Sequence, residues 1–501
     1  MSDNQKRART DLPVDVDGGD TTSSQQRQPQ PSSKLLDDIL RKEGLTKAEF
    51  FDTIWQKEAK VFAYSKSTPR SVPLASESGA VTWNDELMQQ QPLDEIVRQS
   101  WNILSDLLQT ANEEQLTHII NSNPSSDFQR PIIFQNLAPQ DPERIQSTYG
   151  NSLFHPYLDG NSIVLNHGDL LSPWIAAMCQ DLQNSFPHAY ANCYITPPNS
   201  QTAPPHADDR DVLIFQVVGS KNWKVYSKIP IPYPYPHEQV GKEGLEVPPD
   251  VLKGPLGIST TLYPGDVLYM PRGFVHEASC SEQHNSFHIT VALATHDWTL
   301  AGIFSLATQQ LLTTPATPQS LEYRKSLLPT CTDPSVLQTH VDDVFDLLKE
   351  RITGESILQN LSSKMENHNR RAFTERMRRI HKARFPIAIS ESSHPIDCVG
   401  PKAAGRVTFQ SVIRAATPQE KARVVENAST TNGEPRGLNV REAIGDAIAT
   451  IVSGIKLNPT QSFRVVELRS LLSEQPNPLV CDLTLLCLVK RCVELGAVAV
   501  V

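Results

Sequence analysis

Large apolar side chains are almost missing from the first 33 positions and then return at helical spacing. Leu35, Leu36, Ile39 and Leu40, followed by Phe50, Phe51, Ile54 and Trp55, predict helix. A second helical stretch covers roughly 93–122, with Leu104, Leu107 and Leu108 on one stripe. From about 130 to 297 the texture changes to short apolar runs divided by Pro and Gly, which predicts an all-β region. The run 212–218 reads as a buried strand, Gly219-Ser220 as a type II′ hairpin turn, and 221–226 as the returning strand. Tyr263-Pro264-Gly265-Asp266 has the Pro-Gly pair of a type II turn, and 287–293 is a further strand. Helical spacing resumes at 300–312, 334–352 and 355–383. The last hundred residues mix strand and helix (407–413, 440–452, 465–472 and 481–495), in a size and order that fit a small winged-helix-like unit. The pattern divides the chain into a tail at 1–33, a β-rich unit with N-terminal helices at 34–297, a helical region at 298–390 and a mixed unit at 391–501.

Composition sharpens this in three places. Residues 1–33 are rich in Gln, Ser, Pro and Asp, too polar to offset their ordering entropy, and predict disorder. Their cluster Lys6-Arg7-Ala8-Arg9 reads either as a nuclear-import signal or as an ordinary charged tail. With 46 Lys plus Arg against 56 Asp plus Glu, the net charge of -10 excludes coating nucleic acid by bulk charge. A local basic helix remains, carrying Arg370, Arg371, Arg376, Arg378, Arg379, Lys382 and Arg384; it is a contact for nucleic acid or an acidic partner, or a solvated face. No apolar run approaches the roughly 20 residues of a membrane span, and the N-terminus lacks a signal-peptide core, so a soluble, intracellular chain is expected. The eight cysteines form no C-x-x-C pair and sit among apolar neighbours, as buried free thiols do.

The candidate chemistry begins at His206-Ala207-Asp208, immediately before the strand at 212–218. Residues two apart on a strand share a face, so this His and Asp can grip one ion together. His276 follows two further turns, and two His with one carboxylate form the facial triad suited to non-haem Fe(II). H-x-D alone is common by chance; the neighbouring strands add to it. Lys221, Trp223 and Val225 share a face, so if Trp223 and Val225 point inward, Lys221 does too. A buried ammonium requires an anion, which a dicarboxylate co-substrate supplies, although a lysine near a strand end can instead snorkel to water. On the strand at 287–293, His288, Thr290 and Ala292 make the smaller, more polar face, and the Thr290 hydroxyl can donate to a carboxylate. Asn192 and Tyr194 share a face in the same way.

These segments resemble the JmjC-type ribosomal oxygenases, nucleolar proteins also described as bifunctional histidyl-hydroxylases and lysine demethylases. The residues that carry the likeness are Asn192-Cys-Tyr-Ile-Thr-Pro-Pro-Asn-Ser-Gln, Pro205-His-Ala-Asp-Asp209, Gln216-Val-Val-Gly-Ser-Lys-Asn-Trp-Lys-Val-Tyr226, Pro264-Gly-Asp-Val-Leu-Tyr-Met-Pro-Arg-Gly-Phe-Val-His276 and His288-Ile-Thr290, with Phe51-Asp-Thr-Ile-Trp-Gln-Lys57 upstream. The likeness runs from about 45 to 297; beyond it, only the order and size of the later regions agree. It implies an α+β chain built on a double-stranded β-helix (cupin, JmjC) barrel with flanking helices, then a helical dimerisation region and a C-terminal winged-helix-like domain. It implies that His206, Asp208 and His276 bind Fe(II), and that Lys221 pairs with the distal carboxylate of 2-oxoglutarate, with Thr290, Tyr194 and Asn192 in the pocket. Relatives carry Tyr where this chain has Ala207, which bears on the substrate groove. The expected activity is hydroxylation of a histidine on a ribosomal protein, in a homodimer resident in the nucleus and nucleolus. The competing readings are a histone lysine demethylase, a non-catalytic cupin scaffold that binds ribosomal or chromatin partners, and a zinc or manganese cupin acting on small molecules.

Overall fold

The computed structural model describes residues 32–64, 92–111, 131–373 (except 136, 150–151, 243, 282–283, 294–295 and 314–333) and 398–501 (except 423, 425–450, 452, 456–459 and 470–481). The Lys6-to-Arg9 cluster, the end of the second expected helix at 112–122, all of the basic run at 376–384 and most of 440–452 lie outside these residues. Among the described residues, no helix is long and apolar enough to cross a membrane.

Fourteen strands fall into three antiparallel sheets among the described residues: β1 Lys60–Phe62, β2 Ile132–Gln135, β3 Ala138–Pro139, β4 Ser162–Leu165, β5 Tyr190–Thr196, β6 Val212–Gly219, β7 Lys221–Tyr226, β8 Leu256–Leu262, β9 Val267–Met270, β10 His276–Ser279, β11 Ser286–Ala292, β12 Val412–Ala415, β13 Phe463–Arg464 and β14 Val498–Val500. The large sheet runs β1-β9-β6-β11-β5-β4-β2-β3, and the sheet β10-β7-β8 faces it to form a double-stranded β-helix. Alternation along each strand separates two cores. Leu213, Phe215 and Val217 of β6, with Phe287, Ile289 and Val291 of β11, pack outward against helices that contribute Leu36, Ile39, Leu104, Leu107 and Met178. Val212, Ile214, Leu268 and Met270 point inward against Trp223, Val225 and Leu262 of the smaller sheet. The inner face therefore belongs to the barrel, and its polar members are left to the site.

Two expectations need correction. The hairpin at Gly219-Ser220 does not form, because β7 pairs with β10 and β8 and never with β6. Gly219 sits at φ +67 with its α-carbon against Asn285, and the Ser220 N–H donates to the Asn285 carbonyl at 3.0 Å. The chain thus turns a corner from one sheet to the other, which carries Lys221 to the wall opposite β5 and β11. The region 130–297 is also not all β. Helices run at Pro142–Tyr149, Phe154–Leu158, Gly168–Leu171 and Pro173–Leu182. Pro142 and Pro173 are first-turn helix residues, where the missing N–H costs nothing.

Elsewhere the helices Lys34–Arg41, Leu300–Thr313, Pro334–Arg351 and Asp482–Glu494 lie where their spacing placed them. The first starts at Ser33, a buried N-cap whose hydroxyl accepts from the Leu36 N–H at 3.0 Å. The helix expected at 355–383 is Gly354–Met365, continued by a π-helical stretch Glu366–Phe373. The segment expected at 407–413 is strand only from Val412, where β12 begins; 407–411 is coil and turn after a helix Pro401–Arg406, and 465–467 is a 3₁₀ turn. Among the described residues, Cys193 and Cys492 are buried free thiols.

Candidate metal centre

His206 and His276 are brought together by backbone pairing. The His206 N–H donates to the His276 carbonyl at 3.1 Å and the His276 N–H to the His206 carbonyl at 2.9 Å, so both rings emerge on one side, with centroids 4.4 Å apart. Each ring is then turned by its own chain. The Nδ1 of His206 meets the Pro204 carbonyl at 2.7 Å and that of His276 meets the Phe274 carbonyl at 3.1 Å. A nitrogen facing a carbonyl carries the proton, which leaves each Nε2 with a free lone pair. Both lone pairs face Asp208, with His206 Nε2 4.0 Å from Oδ1 and His276 Nε2 3.8 Å from Oδ2. The Gly273 N–H holds the Asp208 carbonyl at 2.9 Å. The three ligand atoms lie within 4.8 Å of one another, the one such cluster found among the described residues.

Electrostatics keep the donors in their binding forms. Burial pushes His206 down to about 3, helped by His276 and Lys242, and burial likewise lowers His276. Burial acts to raise the Asp208 carboxyl, but Lys242 and the two imidazoles outweigh it and hold the group well below the usual carboxylate range. At neutral pH the set is two neutral imidazoles and one carboxylate, which fits Fe(II) in donor type and charge. The Ala207 side chain turns away into a small cluster with Tyr226, Val240, Val251 and Val275.

Behind the triad lies the inner face of the barrel. Trp223 bridges the two zones, its ring 6.1 Å from His276 and 5.6 Å from His288. Tyr194 stacks on His288 at 4.8 Å with the rings nearly parallel, and Thr290 pairs across the ladder with Asn192. Lys221 does not snorkel: it is 2% exposed. Its ammonium donates to Thr196 Oγ1 at 3.1 Å and to Thr202 Oγ1 at 3.5 Å, and no carboxylate pairs with it among the described residues. Burial draws this group down to about 8. An ammonium held by two hydroxyls inside a barrel is a cradle for an anion. Asn192 is partly committed locally, its Oδ1 accepting the His167 N–H at 3.1 Å. Burial, then Asp208, raises the Tyr194 phenol, which therefore stays a neutral donor.

Four residues at the site were not picked out from the sequence. Thr196 continues the Asn192, Tyr194 alternation and was within reach of it. His288 stood on the recognised polar face, and its buried Nδ1 has no hydrogen-bond partner among the described residues. Thr202 and Lys242 arrive from loops, for which periodicity offers no signal.

Residues 173–300, which hold every one of these side chains, match the family model of the JmjC domain. Among curated proteins, this chain is 38% identical over 140 residues to the bifunctional lysine-specific demethylase and histidyl-hydroxylase NO66 of Drosophila willistoni, covering 27% of this chain and 17% of that protein. Ribosomal oxygenase 1 of Rattus norvegicus is 34% identical over 175 residues, covering 34% of this chain and 28% of its own. The human protein of that name is 36% identical over 142 residues, covering 28% and 21%. The chain thus spans less than a third of the length of these relatives. Among solved structures, the Escherichia coli ribosomal oxygenase YcfD with cobalt and 2-oxoglutarate aligns over 84% of this chain and 98% of its own, at 16% identity and a TM-score of 0.35.

Proposed function

We propose that the chain is an Fe(II)- and 2-oxoglutarate-dependent oxygenase that hydroxylates a histidine side chain of a ribosomal protein. The observation that carries this reading is the pairing of two features in one barrel: a His206–Asp208–His276 cluster with both Nε2 atoms free, and a buried Lys221 ammonium without a carboxylate partner. A hydrolytic cupin has no use for the second. The JmjC match and the histidyl-hydroxylase and ribosomal names of the relatives support it.

In this reading His206, Asp208 and His276 would hold the Fe(II). Bound Fe(II) with 2-oxoglutarate supplies oxidative decarboxylation to succinate and carbon dioxide, one atom of dioxygen going to the substrate carbon. Lys221, with Thr196 and Thr202, holds the distal carboxylate of the co-substrate. Tyr194, His288, Thr290, Asn192 and Trp223 shape the slot between Lys221 and the triad and exclude water from it. The relatives named as demethylases support a second reading, removal of an N-methyl group from a histone lysine.

Incubation with Fe(II), ascorbate, 2-oxoglutarate and ribosomal proteins, beside a His206→Ala control, tests the choice by peptide mass spectrometry. A gain of one oxygen on a histidine, absent in the control, is expected. Formaldehyde from a methyl-lysine peptide without that gain moves the assignment to the demethylase.

The same proposal extends to assembly, place and tail. Leu300, Phe304, Val341, Phe345 and Leu358 are exposed on the helices between 300 and 365, which supports pairing of two copies through this region. The C-terminal sheet with its packed helices is assigned as the winged-helix-like module. Lys6-Arg7-Ala8-Arg9 and the ribosomal names of the relatives support residence in the nucleus and nucleolus.

A further inference from the structure

Lys242 has no place in the reading so far, yet it makes the most direct charge contact in the centre. It follows Gly241 in a turn between β7 and β8 that is fastened to the metal-binding segment. The Ala207 N–H donates to the Val240 carbonyl at 2.9 Å, and the Gly241 N–H to Leu245 at 2.6 Å. Val240 is buried against Ala207 and Val275. Gly241, at φ +79, presses on the Pro205–His206 backbone so closely that a Cβ there would lie 2.4 Å from the Pro205 carbonyl. A turn anchored at this many points delivers its side chain to a defined place. The Lys242 ammonium donates to Asp208 Oδ1, the one charged atom group of the triad. Both side chains keep an edge to solvent, at 37% and 22% exposure, so the pair opens without unfolding the turn.

We infer that Lys242 is an internal counter-ion that competes with a divalent cation for Asp208 and so sets the metal affinity of the centre. This rests on the metal-centre reading above. With Lys242 in place, loading the centre requires breaking an ion pair and bringing a dication beside an ammonium; both oppose binding. In exchange, Asp208 is never left as an uncompensated carboxylate at the barrel mouth. The loss of Lys242 therefore tightens metal binding rather than weakening it, the opposite of what removing a supporting residue does.

The test is calorimetric titration of the full chain with Co(II), without co-substrate or turnover, for wild type, Lys242→Met, Lys242→Arg and Asp208→Ala. Lys242→Met is expected to bind Co(II) roughly fivefold tighter, the scale of one partly exposed ion pair. Lys242→Arg is expected to stay near wild type, and Asp208→Ala to lose binding. Lys242→Gln, which keeps a polar side chain of similar length, is expected to follow Lys242→Met, so that a fold defect peculiar to methionine is told apart by its melting curve. Equal or weaker binding by both neutral variants, with wild type binding normally, overturns the inference and leaves the metal centre standing. No binding by any variant overturns the metal centre itself, and the inference with it.

Discussion

Lys221 is the residue whose energetics separate the proposed chemistry from a bare scaffold. A fully buried ammonium bonded to two neutral hydroxyls costs stability in the protein alone, and that cost is recovered only when an anion arrives. Lys221→Met is therefore expected to raise the stability of the co-substrate-free protein by about 1 kcal/mol while weakening 2-oxoglutarate binding by tenfold or more. Paired melting and titration measurements check both halves, and a variant that loses stability and keeps its affinity removes Lys221 from the pocket. The pH dependence follows from the same burial. The Lys221 pKa falls from 10.5 to about 8 on folding, so between these values the unfolded chain binds the extra proton. Stability from this group is accordingly expected to increase as pH rises from 8 to 10.5, a trend that Lys221→Met should erase. The inward direction of Lys221 was legible from its parity with Trp223 and Val225. Its hydroxyl partners were half legible, because Thr196 shares a strand with Tyr194 while Thr202 reaches the ammonium from a loop.

Among the elements, the β6–β7 corner shows how one glycine determines which sheet a strand joins. Any side chain at 219 meets the Asn285 carbonyl at 2.0 Å and must also adopt φ +67. Gly219→Ala is expected to destabilise by about 2 kcal/mol or more in chemical denaturation, since β-carbon strain and a backbone clash add. A hairpin and a corner share the same Gly-Ser signature, so local pattern does not distinguish them; the contact with residue 285 does. A second element-level device joins the helical region to the barrel. The His188 ring stacks on Trp298 at 5.6 Å, meets His368 at 4.9 Å and bonds Asn369 Oδ1 through Nδ1 at 2.7 Å. Burial lowers His188 from 6.5 to about 4. In that window the unfolded chain holds the proton and the folded one does not, so the contribution is complete above 6.5 and is lost as pH falls toward 4. Tryptophan fluorescence on acid titration is expected to change in this range, and His188→Gln to flatten the change.

For the molecule as a whole, the C-terminal unit is part of the same apolar core as the barrel's helical layer. Trp101 meets Phe409 edge-on at 4.8 Å, and the buried Lys490 caps the Pro401–Arg406 helix through the carbonyls of Ala404 and Gly405 at 3.0 and 2.9 Å. Trp101→Ala is expected to cost about 3 kcal/mol and to lower the melting of both units together; a separate, unshifted transition for the C-terminal unit shows that the contact is not energetic. Light scattering after gel filtration tests pairing of copies, with Phe345→Glu expected to shift a dimer toward monomer. Apolar periodicity was enough to place the helices Lys34–Arg41, Leu300–Thr313, Pro334–Arg351 and Asp482–Glu494 and the main barrel strands, and the H-x-D motif to set His206 beside Asp208, because each depends on side chains a few positions apart; His276 joins them only through a bridge across 70 positions. Strand partners, the corner at Gly219, the helices hidden behind Pro142 and Pro173, and the arrival of Thr202 and Lys242 at the site were decided only in three dimensions. They depend on contacts between residues tens of positions apart, where the energy lies in packing and charge that no local pattern records.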